Sequence, residues 1–420
     1  MRTGATRRGW EGVALTLVLI LGLVSGCGLG EDAPAEGGRA VQSDLHREVK
    51  MLLKQRVRAV RKGKVDLFLD GLVDDPVLRR DQRAYFENLR QLPLANFGYA
   101  LPDDGVTASS STGRVIATLS VVLELDGFDS GPVRTPTRMT LEREQDGVLR
   151  IVAARDEEYE VERNAVPQPW DTVPIEVLSG NGVLGIFDRD SWRRAGAIIA
   201  EVEQAITEVS GRVPYAWPER VVVYALSDTS FLARLPDLPG DDPERLDGVA
   251  FPVPLRPGAA EYAGTRFLLH PRILERTPTM RARLIRHELV HVALGQMDDR
   301  VPVWLSEGLA EYVSVRALAP QDRMIAQDAV AAARSGISAL PSDAAFNGSD
   351  SSANYGVAWF ACEHVAAVYG EQVLWRLFDE MRADGGVADT DQDRVLLDEL
   401  GIDGDTLAKA AGSRIVSVFG

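Results

Sequence analysis

Five residues, His287-Glu288-Leu289-Val290-His291, carry the most specific chemistry in the chain. On a helix, His287 and His291 leave the same face about one turn apart. Two neutral imidazoles at that separation can share one Zn²⁺, and Glu288 beside them is placed to take a proton from water that the ion polarises. A hydrolytic zinc centre takes three protein ligands and keeps a fourth position open. Glu307, in the run Trp304-Leu305-Ser306-Glu307-Gly308-Leu309-Ala310-Glu311-Tyr312, is the expected third ligand. Glu311 falls one helical turn beyond it, where a carboxylate accepts a hydrogen bond from a ligand imidazole and fixes its tautomer. The plainer alternative is a pair of core histidines with Glu288 in a salt bridge. With five histidines in 420 residues, a chance match to this spacing is expected on the order of once in a hundred such sequences or fewer.

The elements that must position these residues are legible around them. Val173–Leu178 and Val183–Phe187, joined by Gly180-Asn181-Gly182, predict a hairpin. Asp190 or Ser191 caps a helix to about Ser210, followed by Gly211. Arg220–Leu226 is a β-branched run and predicts a buried strand. Leu235–Pro257 reads as a proline-rich loop interrupted by Gly248–Phe251, and Thr265–Leu269 predicts a strand just before the histidine helix. Gly295–Pro302 predicts a turn that lets a second helix, from about Val303, return beside the first, with Trp304, Leu305, Leu309 and Tyr312 packing it down. Either Gly248–Phe251 or Thr265–Leu269 could offer an edge to an extended substrate.

The motif His287-Glu288-x-x-His291 followed by Pro302-x-Trp304-Leu305-x-Glu307-Gly308-Leu309-Ala310-Glu311-Tyr312 resembles the gluzincin metallopeptidases, in particular the domains of this type in bacterial envelope proteins. The resemblance covers roughly residues 165–385. It implies Zn²⁺, a thermolysin-like catalytic half and peptide hydrolysis, with His287, His291 and Glu307 as ligands, Glu288 as general base and Glu311 as the acid behind them. The His291–Glu307 spacer is shorter than in thermolysin. No Gly-x-Met-Glu-Asn stretch, the free-amine recognition element of the related aminopeptidases, precedes the motif. Endopeptidase action is therefore the expectation. The tetrahedral oxyanion needs one more donor, and the resemblance places a helix from the Asn354–Trp359 region over the site, making Tyr355 and His364 the candidates. His270, before Pro271 at a strand end, reads as structural.

The rest of the chain gives address and scaffold. Arg2, Arg7 and Arg8 precede an uncharged apolar stretch, Val13–Val24, too short to span a bilayer comfortably. Leu23-Val24-Ser25-Gly26-Cys27 resembles the bacterial lipobox, which implies lipid on Cys27 and a protein anchored at the extracytoplasmic face of the cell membrane. Residues 1–26 are then a lipoprotein signal peptide and 27–42 a flexible tether. The net charge is −16; residues 1–26 contribute +2 (Arg2, Arg7 and Arg8 against Glu11), leaving −18 and arguing against nucleic acid as a partner. With Cys27 lipidated, Cys362 has no partner and is expected as a buried, inert thiol. Residues 43–163 read as an α+β accessory domain: a helix capped by Ser43 or Asp44, helical spacing through Leu69, then strands over Arg114–Leu125, Pro132–Arg143 and Leu149–Ala154, the last two joined by an Asp146-Gly147 turn. That order resembles the cone-shaped nuclear transport factor 2 superfamily and implies a structural or partner-binding role, with the partner unknown. Residues 164–420 form the second, gluzincin-like domain, so the fold class expected is α+β in two domains. The competing functional reading is a non-catalytic envelope protein in which a zincin fold serves as a binding module; retention of Glu288, which carries chemistry but little fold, argues against it. A purely structural zinc would call for four Cys or His ligands, which the chain lacks.

Overall fold

Alternation within three strands decides how the chain is layered. Along β-branched runs near residues 183, 221 and 267, odd-numbered side chains enter one core (Val183, Val221, Val223, Phe267, Leu269) and even-numbered ones another (Leu184, Ile186, Val222, Tyr224, Leu268). A strand buried on both faces must lie between two layers. In the computed structural model, which describes residues 36–109, 112–235, 246–384 and 389–420, the sheet containing these strands is that central layer.

The N-terminal layer begins with α1 (Glu36–Lys62), α2 (Val65–Leu69) and α3 (Pro76–Gln91), then β1 (Leu94–Ala100), β2 (Val106–Ala108), β3 (Val115–Leu125), β4 (Val133–Arg143) and β5 (Leu149–Ala153). These strands form an antiparallel sheet in the order β1-β3-β4-β5, with β2 also on β3. Helix α1 starts seven residues before Ser43, so neither Ser43 nor Asp44 caps it, and the expected tether is helical from Glu36 onward. The remainder of the tether, the signal segment and Cys27 lie outside the described residues. The three expected strands form, with Gly147 at φ +81° in the turn. Helix α3 and strands β1 and β2 were not anticipated. Pro76 at the first turn and Asp75 accepting from the Leu78 N–H at 2.7 Å are a legible start signal for α3, whereas β1 (LANFGYA) lacks a clean alternation.

Short helices α4 (Glu157–Glu162) and α5 (Pro169–Thr172) lead to β6 (Glu176–Gly180), β7 (Val183–Phe187), α6 (Ala195–Ser210), β8 (Val221–Ala225), β9 (Gly248–Pro254) and β10 (Tyr262–Leu269). The central sheet runs β6-β7-β8-β10-β9. Its middle pairs, β7–β8 and β8–β10, are parallel, and β9 returns antiparallel as the edge. Helices α7 (Pro271–Leu274), α8 (Pro278–Leu294), α9 (Val303–Val315), α10 (Gln327–Ser335), α11 (Asp343–Phe346), α12 (Ser351–Val368), α13 (Glu371–Asp384), α14 (Asp389–Leu400) and α15 (Gly404–Phe419) follow. The chain is α+β.

The first sheet and the central sheet share one apolar core, in which Leu119, Met139 and Ile151 join Tyr224, Phe251 and Leu268. A buried ion pair fastens the same junction. Arg266 of β10 reaches Asp129, in the β3–β4 connection, at 2.7 Å, with both side chains almost wholly buried (2% and 1% exposed). Arg266 also donates to Tyr224 Oη and Gln168 Oε1, each at 2.8 Å, and Asp129 accepts from the Leu125 N–H at 2.8 Å. Such a pair is stable only when the remaining valences are filled, and these bonds fill most of them.

Candidate metal centre

Helix α8 is set in place from its first turn. Pro278 occupies an early helical position and Thr277 accepts from the Met280 N–H. Its middle is buried on nearly all sides, so His287 and Glu288 lie at 7% and 4% exposure. Gly295 ends the helix at φ +53°, a conformation that costs glycine little. The 3₁₀ turn Gly295–Arg300 follows, and α9 then returns against α8, as the spacing predicts. Trp304, Leu305, Leu309 and Tyr312 are buried in the same core, with Trp304 Nε1 donating to Gln392 Oε1 of α14 at 3.0 Å. Gly308 lets α9 approach α12 closely, since a Cβ there would meet Ala358 O at 2.5 Å.

This packing brings His287, His291 and Glu307 together. His287 Nε2 lies 3.1 Å from Glu307 Oε2, His291 Nε2 lies 3.3 Å from His287 Nε2, and His291 Nε2 lies 3.5 Å from Glu307 Oε2. The outer nitrogens face carboxylates. His291 Nδ1 donates to Asp298 Oδ2 at 2.6 Å. His287 Nδ1 stands 3.4 Å from Glu311 Oε1, a longer approach, and Arg283 holds the other Glu311 oxygen at 2.5 Å. A carboxylate only accepts, so neutral His291 carries its proton on Nδ1, toward Asp298, with its Nε2 lone pair inward, whereas His287 meets a carboxylate at each nitrogen, more closely at Nε2.

The two Nε2 atoms and one Glu307 oxygen thus crowd a single point, where a proton or a cation between them relieves the repulsion. Without a cation the rings protonate: burial opposes the charge on His287, but Glu307 and Glu311 outweigh it and raise the ring to about 9. His291 is likewise raised well above its ordinary value, against burial, chiefly by Asp298 and then Glu307. Burial pushes Glu307 up, but the two rings hold it well below the usual carboxylate range. The donor set also fits a metal. Tetrahedral coordination with bonds of ~2.0–2.1 Å separates ligand atoms by about 3.3 Å, and the three observed separations bracket that value.

Glu288 lines the adjoining cleft. It accepts from the Ala250 N–H of β9, and a Cβ on Gly248 would stand 3.1 Å from its Oε1, so the edge strand runs directly against the carboxylate. Burial raises its pKa, with the His287 and His291 charges opposing. Of the two strands considered for an extended substrate, β10 is interior and β9 is the edge.

Tyr355 lies on α12 over the triad, its ring 6.1 Å from that of His287 and its hydroxyl hydrogen-bonded to Glu307. Burial and then the charge of Glu307 raise the phenol well above its ordinary value, so it stays a donor. His364 does not reach the cleft. Nine residues along α12 from Tyr355, its Nδ1 accepts from Arg414 Nε of α15 at 3.3 Å. His270 caps α7, its Nδ1 accepting from the Arg272 N–H at 3.2 Å, which is the structural role expected. Cys362 is fully buried and its thiol is pushed up by burial, as an inert core sulfur.

Asp298 is the contact that sequence reasoning missed. The turn 295–302 reads only as a connector, and its consecutive acids Asp298 and Asp299 give no sign of which faces the site. The signal available was general: a ligand histidine needs an acceptor for its other nitrogen, and the nearest acid after His291 is Asp298.

The cleft has a volume of about 510 Å³. His287, Glu288, Glu311 and Tyr355 line one side, Gly248 and Asp247 a second, and Ile273, Met280, Leu284, Met324, Ile325 and Trp359 an apolar third. No family model matches the chain, and no curated protein is significantly similar to it in sequence. The case for function rests on the residues themselves.

Proposed function

We propose that the chain is a zinc-dependent endopeptidase of gluzincin type, anchored by lipid on Cys27 at the extracytoplasmic face of the membrane. The observation that carries this reading is the convergence of one potential ligand atom each from His287, His291 and Glu307, beside a buried carboxylate, Glu288, at the wall of a cleft. In the same reading, the central sheet with α6–α12 is the thermolysin-like half and the first sheet with α1–α3 is a cone-like unit. Among the described residues no helix is long and apolar enough to cross a membrane.

His287, His291 and Glu307 would hold Zn²⁺, with Asp298 and Glu311 orienting the rings. A bound zinc ion supplies Lewis acidity toward water and the scissile carbonyl. Glu288 takes the proton from the attacking water and returns it to the leaving amine, a role favoured by a carboxyl whose pKa burial has raised. Tyr355 donates to the developing oxyanion. Substrate backbone pairs with the β9 edge, and the apolar wall takes a large hydrophobic side chain next to the cleaved bond.

The test is zinc content together with hydrolysis of a quenched peptide library by the purified full chain, beside Glu288→Gln. About one zinc per chain, with cleavage abolished in the variant while zinc is retained, is the expected result. Zinc bound with no cleavage by the wild type would favour the binding-module reading, and a folded protein that takes up no zinc would overturn the proposal.

A further inference from the structure

A second feature lies far from the cleft and does not depend on the reading of it. Residues 50–64, the C-terminal half of α1 and the turn after it, contain seven cations (Lys50, Lys54, Arg56, Arg58, Arg61, Lys62, Lys64) and no acid, in a chain of net charge −16. Arg56 turns inward and is consumed by Gln82 and the Phe68 carbonyl. Lys50, Lys54, Arg58 and Arg61 are exposed, and among the described residues none of the four has an ion-pair or hydrogen-bond partner. Their spacing places them along one helix face for about 16 Å. Like charges four residues apart weaken a helix, so the row does not serve α1 itself. Arg61 complements the helix dipole at its end, but Lys50 and Lys54 lie too far from that end to do so.

The row flanks a groove of about 590 Å³ whose opposite wall is the end of β1, Gly98, Tyr99 and Ala100, with Leu101 after it. Strand β1 ends its sheet, so its outer N–H and C=O groups have no strand beside them among the described residues. It carries no charged residue of its own, and nothing lies within 4 Å of where a Cβ on Gly98 would stand. An unpaired edge is a template for an added strand. Cations along it repel basic strands and attract acidic ones. A bilayer surface is flat and offers no backbone partners in register, whereas an extended peptide offers both charge and hydrogen bonds.

We propose that the α1–β1 groove is a docking site for an extended acidic peptide segment of a partner protein, which adds to β1 as a further strand while its carboxylates meet Lys50, Lys54, Arg58 and Arg61. The experiment measures fluorescence anisotropy of a labelled eight-residue peptide alternating Glu and Val, titrated with the full chain. Saturable binding is expected, weakened about tenfold or more by Lys54→Gln with Arg58→Gln, variants that remove charge at exposed positions and leave the core intact. N-methylation of alternate peptide nitrogens is expected to weaken binding by a similar factor, since it removes the strand pairing but no charge. Absence of peptide binding, binding indifferent to the double variant, or binding indifferent to N-methylation would each overturn the proposal. Co-sedimentation with phosphatidylglycerol vesicles without peptide binding would overturn it in favour of a lipid surface.

Discussion

Replacing Asp298 by alanine isolates the contribution of a residue that touches neither the proposed metal nor the cleft. Asp298 accepts from His291 Nδ1 at 2.6 Å, with both side chains mostly buried (13% and 14% exposed). A charge-assisted hydrogen bond of this kind contributes about 1.5–3 kcal/mol. Loss of such a carboxylate behind a ligand histidine typically lowers metal affinity about 10–100-fold, equivalent to about 1.4–2.7 kcal/mol. The two estimates agree, so Asp298→Ala is expected to weaken zinc binding by one to two decades. The assay is competition against a chromophoric zinc chelator at fixed pH. In chelator without metal the same variant is expected to lose stability, because His291, raised well above its ordinary value beside Asp298, is then a buried cation without its partner. Asp298→Asn separates the two effects: its amide oxygen still accepts from Nδ1–H, so most of the affinity should return. Equal zinc affinity for Asp298→Ala and wild type would refute the positioning argument. An Asn variant as weak as Ala would show that charge, not orientation, is what Asp298 supplies.

Three other expectations follow from packing and charge. Gly308→Ala would set a Cβ 2.5 Å from Ala358 O and 2.8 Å from Cys362 Sγ, forcing α9 from α12 at a cost of about 1–3 kcal/mol; thermal unfolding and zinc competition should both register it, because Glu307 moves with the helix. Asp129→Ala strands Arg266 in the interface between the two sheets and is expected to destabilise the chain by about 3–5 kcal/mol in urea unfolding, whereas an exposed pair such as Arg80–Asp81 should cost almost nothing. Asp171 is raised to about 6, by burial first and against the Arg155 charge. Its folded form therefore binds the proton more tightly than the unfolded chain at about 3.9, and the stability this gives in acid is lost as pH climbs from about 4 through about 6. The difference between Asp171→Asn and wild-type urea midpoints should grow in the variant's favour across that window; a constant difference would show that Asp171 does not titrate there.

The sequence by itself placed the local elements and the residue types of the candidate site. His287, Glu288 and His291 share a helix, and a one-turn spacing sets their relation before any tertiary contact forms. Glu307 and Glu311 were readable for the same reason, as were the β6–β7 hairpin at Asn181-Gly182 and the β-branched run of β8, whose local preference and tertiary role agree. Strand β9 was legible only in part, because Pro252 and Pro254 demote a strand unless it is an edge, and edge position is a tertiary fact. Asp298 needed the path of a six-residue turn, which its composition does not specify. His364 and Tyr355 sit on one helix, nine residues apart, and only the packing of α12 decided that Tyr355 faces Glu307 while His364 faces Arg414. The layering was least visible of all. Period-two alternation shows that β7, β8 and β10 are buried on both faces, but not what covers the second face. That the first sheet covers it, with Asp129 meeting Arg266 across 137 residues of chain, follows from long-range burial and charge pairing, which depend on the whole fold and leave no mark at either residue alone.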